Sequence, residues 1–198
     1  MSWLFPKTAT QKLFCRIPTL YTPRLTLRKL VPADAQDMFE YARLNQVTRY
    51  LTWYEHDSAD YTLEYLTALQ RAYRRGEFFD WGIELTEEKK MIGTCGFTSI
   101  REQDNTGEIG YVLNPRYQGR GLMTEAVQEV VRFGFETLCL ERIEARHMDG
   151  NESSARVMKR CGLQYEGRLR HSLYVKGEYR NICWYSILKS EYEKQKNT

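Results

Sequence analysis

No Cys-x-x-Cys pair occurs in this 198-residue chain, whose five cysteines are scattered and odd in number and whose three histidines, His56, His147 and His171, lie far apart. A disulfide framework or a zinc site needs closer spacing, so reduced thiols and no metal are expected. Cys95, Cys139, Cys161 and Cys183 sit in apolar patterns and read as buried, inert thiols, and His147 as a structural histidine. No apolar run approaches the roughly 20 residues that span a bilayer. Trp3, Leu4 and Phe5 are followed at once by Pro6 and Lys7, too short a stretch for a secretory core. A cytoplasmic protein without membrane contact is the expectation. Basic runs are missing as well: the net charge of +3 comes from lysines and arginines interspersed with acids, which leaves no footprint for nucleic acid and suits a small acidic ligand. There is no internal repeat, no low-complexity tract and no G-x-G-x-x-G. Gly119, Arg120, Gly121, Leu122, Met123 and Thr124 fail that dinucleotide fingerprint at its third glycine.

What is present fits one globular domain, with 42% hydrophobic and 28% charged residues. Its organising stretch is 106–126. Period-2 geometry puts Ile109, Tyr111 and Leu113 on one face of a strand and Glu108, Gly110 and Val112 on the other. An acid beside a bare glycine leaves room for a ligand and a group to act on it. Gln118 to Gly121 then supplies flexible backbone, and a helix is expected from Thr124 to near Leu140. A strand that passes through glycines into a helix start frees backbone N–H groups for an anion.

Upstream, Leu25 and Leu27 alternate with Arg24, Thr26 and Arg28 as a strand. A helix follows Pro32 and Asp34 with Ala35, Met38, Phe39 and Ala42 inward, and another runs from Ser58 to Gly76 with Tyr61, Leu63, Tyr65, Leu66, Leu69 and Tyr73 in register. Between them lie Tyr50, Trp53 and Tyr54, large rings that can roof the core. Residues 78–101 read as two strands around a polar turn. Residues 142–148 form another strand, with Ile143 and Ala145 opposite Arg142, Glu144 and Arg146. Asn151 starts a short helix stopped by Gly162, and 163–189 form a hairpin about Lys176, Gly177 and Glu178. Hairpins followed by strand, helix, strand imply an α/β fold: a mixed sheet with one parallel crossover at the anion loop.

Gln118, Gly119, Arg120, Gly121, Leu122, Met123 resembles motif A of the GNAT N-acetyltransferases: glutamine or arginine, two residues, glycine, one residue, then glycine or alanine. Met123 departs from it and puts a side chain where the family has almost none. The phrase GEIGYVLNPRYQGRGLMTEA is most similar to the subgroup of ribosomal-protein N-terminal acetyltransferases. The opening strand resembles the same subgroup, and NESSARVMKRCGLQYEG resembles its second signature. The resemblance covers roughly residues 20–192, leaving 1–19 as an N-terminal extension and 193–198 as a polar tail.

The resemblance implies a GNAT fold: a twisted, mostly antiparallel sheet whose central parallel pair splays around the cofactor, with helices on both faces. It implies acetyl-CoA as co-substrate, held by Tyr111, Val112, Leu113, Gln118, Gly119, Arg120, Gly121, Leu122, Met123, Thr124, Asn151 and Ser154, with Arg116 and Arg120 adding charge near the pyrophosphate. Asn151 is equally an N-cap. Glu108 is the implied general base, and otherwise a solvated strand glutamate. Ser154 is the hydroxyl available to protonate the leaving thiolate, since Met158 stands where many relatives have a tyrosine; it can also simply cap the helix. The implied acceptor is a primary amine, foremost a protein N-terminus, on a monomer or homodimer, and the resemblance makes Tyr50, Trp53 and Tyr54 candidates for contact with it, since the family's segment between the first two helices helps form the acceptor groove. A small-molecule amine, or a non-catalytic acyl-CoA-binding module, are the alternatives. A polyamine site is expected to be acidic, and residues 50–54 carry no acid.

Overall fold

The computed structural model describes residues 8–196; residues 1–7 of the extension and 197–198 of the tail lie outside the described residues. Thr8 and Gln11 cap helix α1 (Ala9–Phe14) reciprocally, each side chain bonding the other's backbone N–H. Phe14, which ends it, is fully buried edge-on against Phe79, Trp81 and Phe133.

Strands β1 (Leu20–Tyr21) and β2 (Leu25–Arg28) follow, with Leu25 and Leu27 inward. A 3-10 turn at Pro32–Asp34 leads into α2 (Ala35–Ala42). Its buried stripe is Ala35, Met38, Tyr41 and Ala42; Phe39, expected inward, lies at the edge of that stripe and is half-buried. The one-turn α3 (Asn45–Thr48) precedes α4 (Ala59–Arg75), capped by the Ser58 hydroxyl and ended by left-handed Gly76. Thr62, Leu66, Leu69 and Tyr73 form its buried face, whereas Tyr61, Leu63 and Tyr65 are exposed. Thr62 turns inward because its hydroxyl donates to the Ser58 carbonyl and meets the His56 ring, which rotates the two tyrosines onto the flank.

The main sheet continues with β3 (Phe79–Leu85), β4 (Lys90–Arg101) and β5 (Thr106–Leu113). Helix α5 (Leu122–Glu136) begins two residues before Thr124, since Leu122 and Met123 already face the core, and stops short of Leu140. In the turn beyond it Cys139 has positive φ and is exposed, against the expectation of a buried thiol. Then come β6 (Arg142–Met148), α6 (Glu152–Arg160), β7 (Gln164–Val175), β8 (Glu178–Leu188) and α7 (Lys189–Lys196).

The strand order is β1-β2-β3-β4-β5-β6-β8-β7, and β5 with β6 is the parallel pair. One core lies under α5 and α6, built on Trp81, Ile83, Cys95, Phe97 and Ile109; the other lies under α2 and α4, built on Leu30, Met38, Tyr41, Leu66 and Met91. Helices therefore cover both faces. The parallel register runs only from Thr106 opposite Arg142 to Ile109 opposite Ala145, while β5 stays paired to β4 as far as Leu113. Past Ile109 the two strands separate, and one edge of Gly110–Leu113 opens. Among the described residues no helix is long and apolar enough to cross a membrane.

Candidate active site

Two cavities meet where β5 leaves β6, and both are lined by Leu51, Tyr111 and Val112. The first, of about 610 Å³, is bounded by Tyr111, Val112, Leu113, Gln118, Gly119, Gly121, Leu122, Met123, Thr124, Asn151 and Ser154. These residues share one space because the loop after β5 and the starts of α5 and α6 converge there. Gly119 and Gly121 have φ of 77° and 76°, a left-handed conformation that favours glycine. A Cβ at Gly119 would meet nothing within 4 Å, and at Gly121 only the Arg24 guanidinium at 3.7 Å, so this backbone borders open space. The first N–H groups of α5 have no acceptor within the helix and point outward. Met123 is 6% exposed, its side chain folded into the core and not into the approach. The donor set thus fits a diphosphate.

Arg120 does not line this cavity: its guanidinium lies 5.7 Å from the Tyr117 ring centre, and its carbonyl accepts from Arg24. Arg116, 78% exposed, faces Glu40 at 3.9 Å. The arginines that do line the space are Arg49, Arg156 and Arg160. Sequence reasoning passed over them, although Arg156 and Arg160 stand four apart on the helix that Asn151 caps. Arg24 braces the loop from outside through Glu125, with the Thr22 hydroxyl on the same carboxylate.

Asn151 caps α6 by accepting the Ser154 N–H at 3.3 Å, and it lines the cavity as well. The Tyr111 hydroxyl stands 2.9 Å from Ser154 Oγ and donates to the Ser154 carbonyl. Burial pushes that phenol well above its ordinary value, so it keeps its proton at neutral pH. The notable hydroxyl is Tyr111's, masked in the sequence by its place on the core-facing side of the strand.

Glu108 lines neither cavity. Its side chain is 13% exposed and accepts from Arg146 at 2.9 Å, two residues along β5 from Gly110.

The second cavity, of about 740 Å³, lies between the sheet and α2 and α4, within the usual range for ligand sites. Trp53, Tyr54, Tyr61, Tyr65 and Phe78 supply aromatic wall, while Tyr50 instead bridges to the Gly150 carbonyl beside the first cavity. Four acids line it, Glu55, Asp57, Glu77 and Asp80, and among the described residues no lysine or arginine does. Residues 50–54 carry no acid, yet the cavity is acidic, because its carboxylates arrive from the following turn, from Glu77 just before β3 and from Asp80 on β3. Glu77 is paired with Arg75, and Glu55 accepts from Asn45 and Thr48. His56 is 9% exposed, shares a hydrogen bond with Thr62, and is held below the ordinary imidazole value by burial, against the Asp57 charge.

Asp80 is the deepest of the acids. Its Oδ1 is buried without a hydrogen-bond partner among the described residues, although the residue keeps an edge open to the cavity. Burial pushes its carboxyl up to about 7, against the Thr94 hydroxyl and the Trp81 N–H. Its only sequence signal was an acid inside the apolar strand FFDWGIEL.

The family description that matches, over residues 24–164, is Acetyltransferase (GNAT) domain. YoaA of Bacillus subtilis (strain 168), an uncharacterized N-acetyltransferase, is 34% identical over 172 residues, 87% of this chain and 97% of its own. The [Ribosomal protein uS5]-alanine N-acetyltransferase of Escherichia coli (strain K12) is 29% identical over 117 residues, 59% of this chain and 60% of that one. The crystal structure of the GNAT-family acetyltransferase from Bacillus anthracis superposes with a TM-score of 0.78 at 26% identity, covering 87% of this chain and 99% of that one.

Proposed function

This chain belongs to the GNAT acetyltransferase family and is an acetyl-CoA-dependent N-acetyltransferase, and from that premise we propose that it acetylates the N-terminal amine of a polypeptide by direct attack, within a catalytic domain spanning 20–192. The observation that carries the reading is the meeting of two cavities of opposite charge at Tyr111 and Val112: arginines Arg49, Arg156 and Arg160 on one side, carboxylates on the other. An anionic acyl donor suits the first and a cationic amine the second.

In this reading the backbone of Gln118, Gly119, Arg120 and Gly121 and the N–H groups of Leu122, Met123 and Thr124 hold the diphosphate. The unpaired edge of β5 at Tyr111, Val112 and Leu113, together with Asn151 and Ser154, holds the pantetheine arm. Acetyl-CoA supplies the acyl group as a thioester. Glu108, held in place by its hydrogen bond from Arg146, takes a proton from the acceptor ammonium through water. The freed amine forms the C–N bond as the C–S bond breaks, the departing thiolate takes a proton from the Tyr111 and Ser154 hydroxyl pair, and the second proton that the nitrogen sheds as the amide forms restores that pair.

The test is acetyl-CoA-dependent thiol release across N-terminal peptides and small amines. Preference for peptides is expected, and release with small amines alone would reassign the acceptor. On the best peptide, Glu108→Gln is expected to lower turnover at pH 7 and to recover toward pH 9. The reason is that an α-amino group with a pKa of about 7.7 to 8.0 deprotonates itself there. A Glu108→Gln profile matching wild type at every pH would remove Glu108 as base.

A further inference from the structure

In strand register, Asp80 on β3 stands opposite Gly96 on β4, and Gly96 stands opposite Gly110 on β5. A row of one carboxylate and two glycines therefore crosses the floor of the aromatic cavity toward the point where the two cavities join. Gly96 is required there. A Cβ on it would come within 2.3 Å of the Phe79 carbonyl and 2.8 Å of Asp80 Oδ1. The carboxyl is thus laid over bare backbone, with one oxygen unmatched.

An unmatched buried oxygen is costly unless something satisfies it. The cavity around it has aromatic faces from Trp53, Tyr61 and Tyr65, and Asp57, which has no ion-pair partner among the described residues, stands beside neutral His56. Aromatic faces plus a deep carboxylate attract a cation on two grounds, charge and ring quadrupole. Lys176 sits at the rim, where its ammonium lies 5.1 Å from the Tyr54 ring centre and donates to the Thr48 carbonyl.

Two strand spacings put Asp80 on the order of 10 Å from Gly110. That is too far for a base acting on the reacting nitrogen directly or through a single water. Resting on the acetyl-transfer reading above, we infer that Asp80 is a specificity-determining residue that binds a second cationic group of the acceptor, so that the preferred acceptor carries an ammonium or guanidinium several bonds from the amine that is acetylated. A lysine or arginine side chain next to an N-terminal amine and a free linear polyamine share this chemistry.

The full chain would be assayed with 1,8-diaminooctane against octylamine, and with a peptide carrying lysine at its second position against the same peptide carrying alanine. Wild type, Asp80→Asn and Asp80→Glu are compared, and Asp80→Asn removes charge at constant shape. For the dicationic member of at least one pair, wild type is expected to show a KM lower by about tenfold, a difference that Asp80→Asn abolishes with kcat within about twofold. Asp80→Glu is expected to restore part of it. Which pair responds identifies the source of the second cation. Calorimetric binding of each amine to the protein with coenzyme A is read alongside. Diamine binding that depends on Asp80 without turnover would sustain the cation site and defeat the acetylation of that amine. Turnover with equal KM within both pairs in wild type, or an Asp80→Asn variant that loses kcat equally on every acceptor, would overturn the cation site while leaving the acetyltransferase reading intact.

Discussion

Asp80 raises a second question, of stability. An unfolded aspartate ionises near about 3.9, whereas burial takes this one to about 7. Between those values the folded chain holds the extra proton, so stability falls as pH rises from about 4 to about 7 and is level above. The upper bound is about 4 kcal/mol, reduced by whatever water the cavity admits. After burial, its charge helps raise the hydroxyls of Tyr41, Tyr65 and Tyr73 and the Cys95 thiol above their ordinary values, and none of these groups is a cation to offset it. Asp80→Asn should therefore melt at a higher temperature than wild type, with a margin absent near pH 4 and widest above pH 7. A margin that shrinks with rising pH in thermal melts would show the carboxylate to be stabilised in the fold. Tyr111 and Ser154 make a different case, because 2.9 Å between their hydroxyls makes them one unit. A thiol with a pKa near about 8.5 leaves without strong help, so Tyr111→Phe and Ser154→Ala should each lower kcat by no more than about tenfold. The double variant should lose little more than either single one, and an additive loss in a double-mutant cycle would separate them.

The loop before α5 draws its geometry from two left-handed glycines and its rigidity from β2, through Arg24 and Glu125. Gly121→Val would place a β-branched residue at a φ of 76°, which costs roughly 1 to 2 kcal/mol locally. Acetyl-CoA affinity, read by calorimetry, should drop by at least about tenfold as the loop refolds, while α5 stays anchored by Val127, Val130 and Val131, all but fully buried. Unaltered affinity would move the diphosphate elsewhere. This element, like the Asn151 cap, was legible because turn and cap chemistry is local. The inward face of α4 was not. Tyr61 and Tyr65 match a helical apolar stripe as well as Leu66 and Leu69 do, and only the contacts of Thr62 with Ser58 and His56 decide which row turns inward.

Across the molecule the two cavities differ in how deep their charges lie. Arg49, Arg156 and Arg160 line the first cavity and are exposed, whereas Asp80 is deep in the second. The Debye length is about 10 Å at 0.1 M and about 3 Å at 1 M, so exposed charges are screened and buried ones much less. Raising ionic strength from about 0.05 M to about 0.5 M should increase KM for acetyl-CoA more than KM for a dicationic acceptor. Initial-rate kinetics at several salt concentrations read this, and the reverse order would contradict the depth argument. The sequence by itself determined the strand that carries Glu108 and Gly110, the glycine loop and the capped helix behind Asn151, because each depends on residues within a few positions of one another. It also determined the mixed sheet with one parallel crossover, since hairpins followed by strand, helix, strand permit little else. Only the tertiary structure decided that Asp80 and Gly110, thirty positions apart in the chain, share one floor, that Tyr111 meets Ser154, and that the arginines lining the first cavity come from α6 and the turn after α3 and not from the loop. Those pairings follow from strand order, from a β-bulge on β4 and from the parting of β5 and β6 after Ile109. They are long-range events, set by the packing of a sheet between two cores, and residue periodicity carries no record of them.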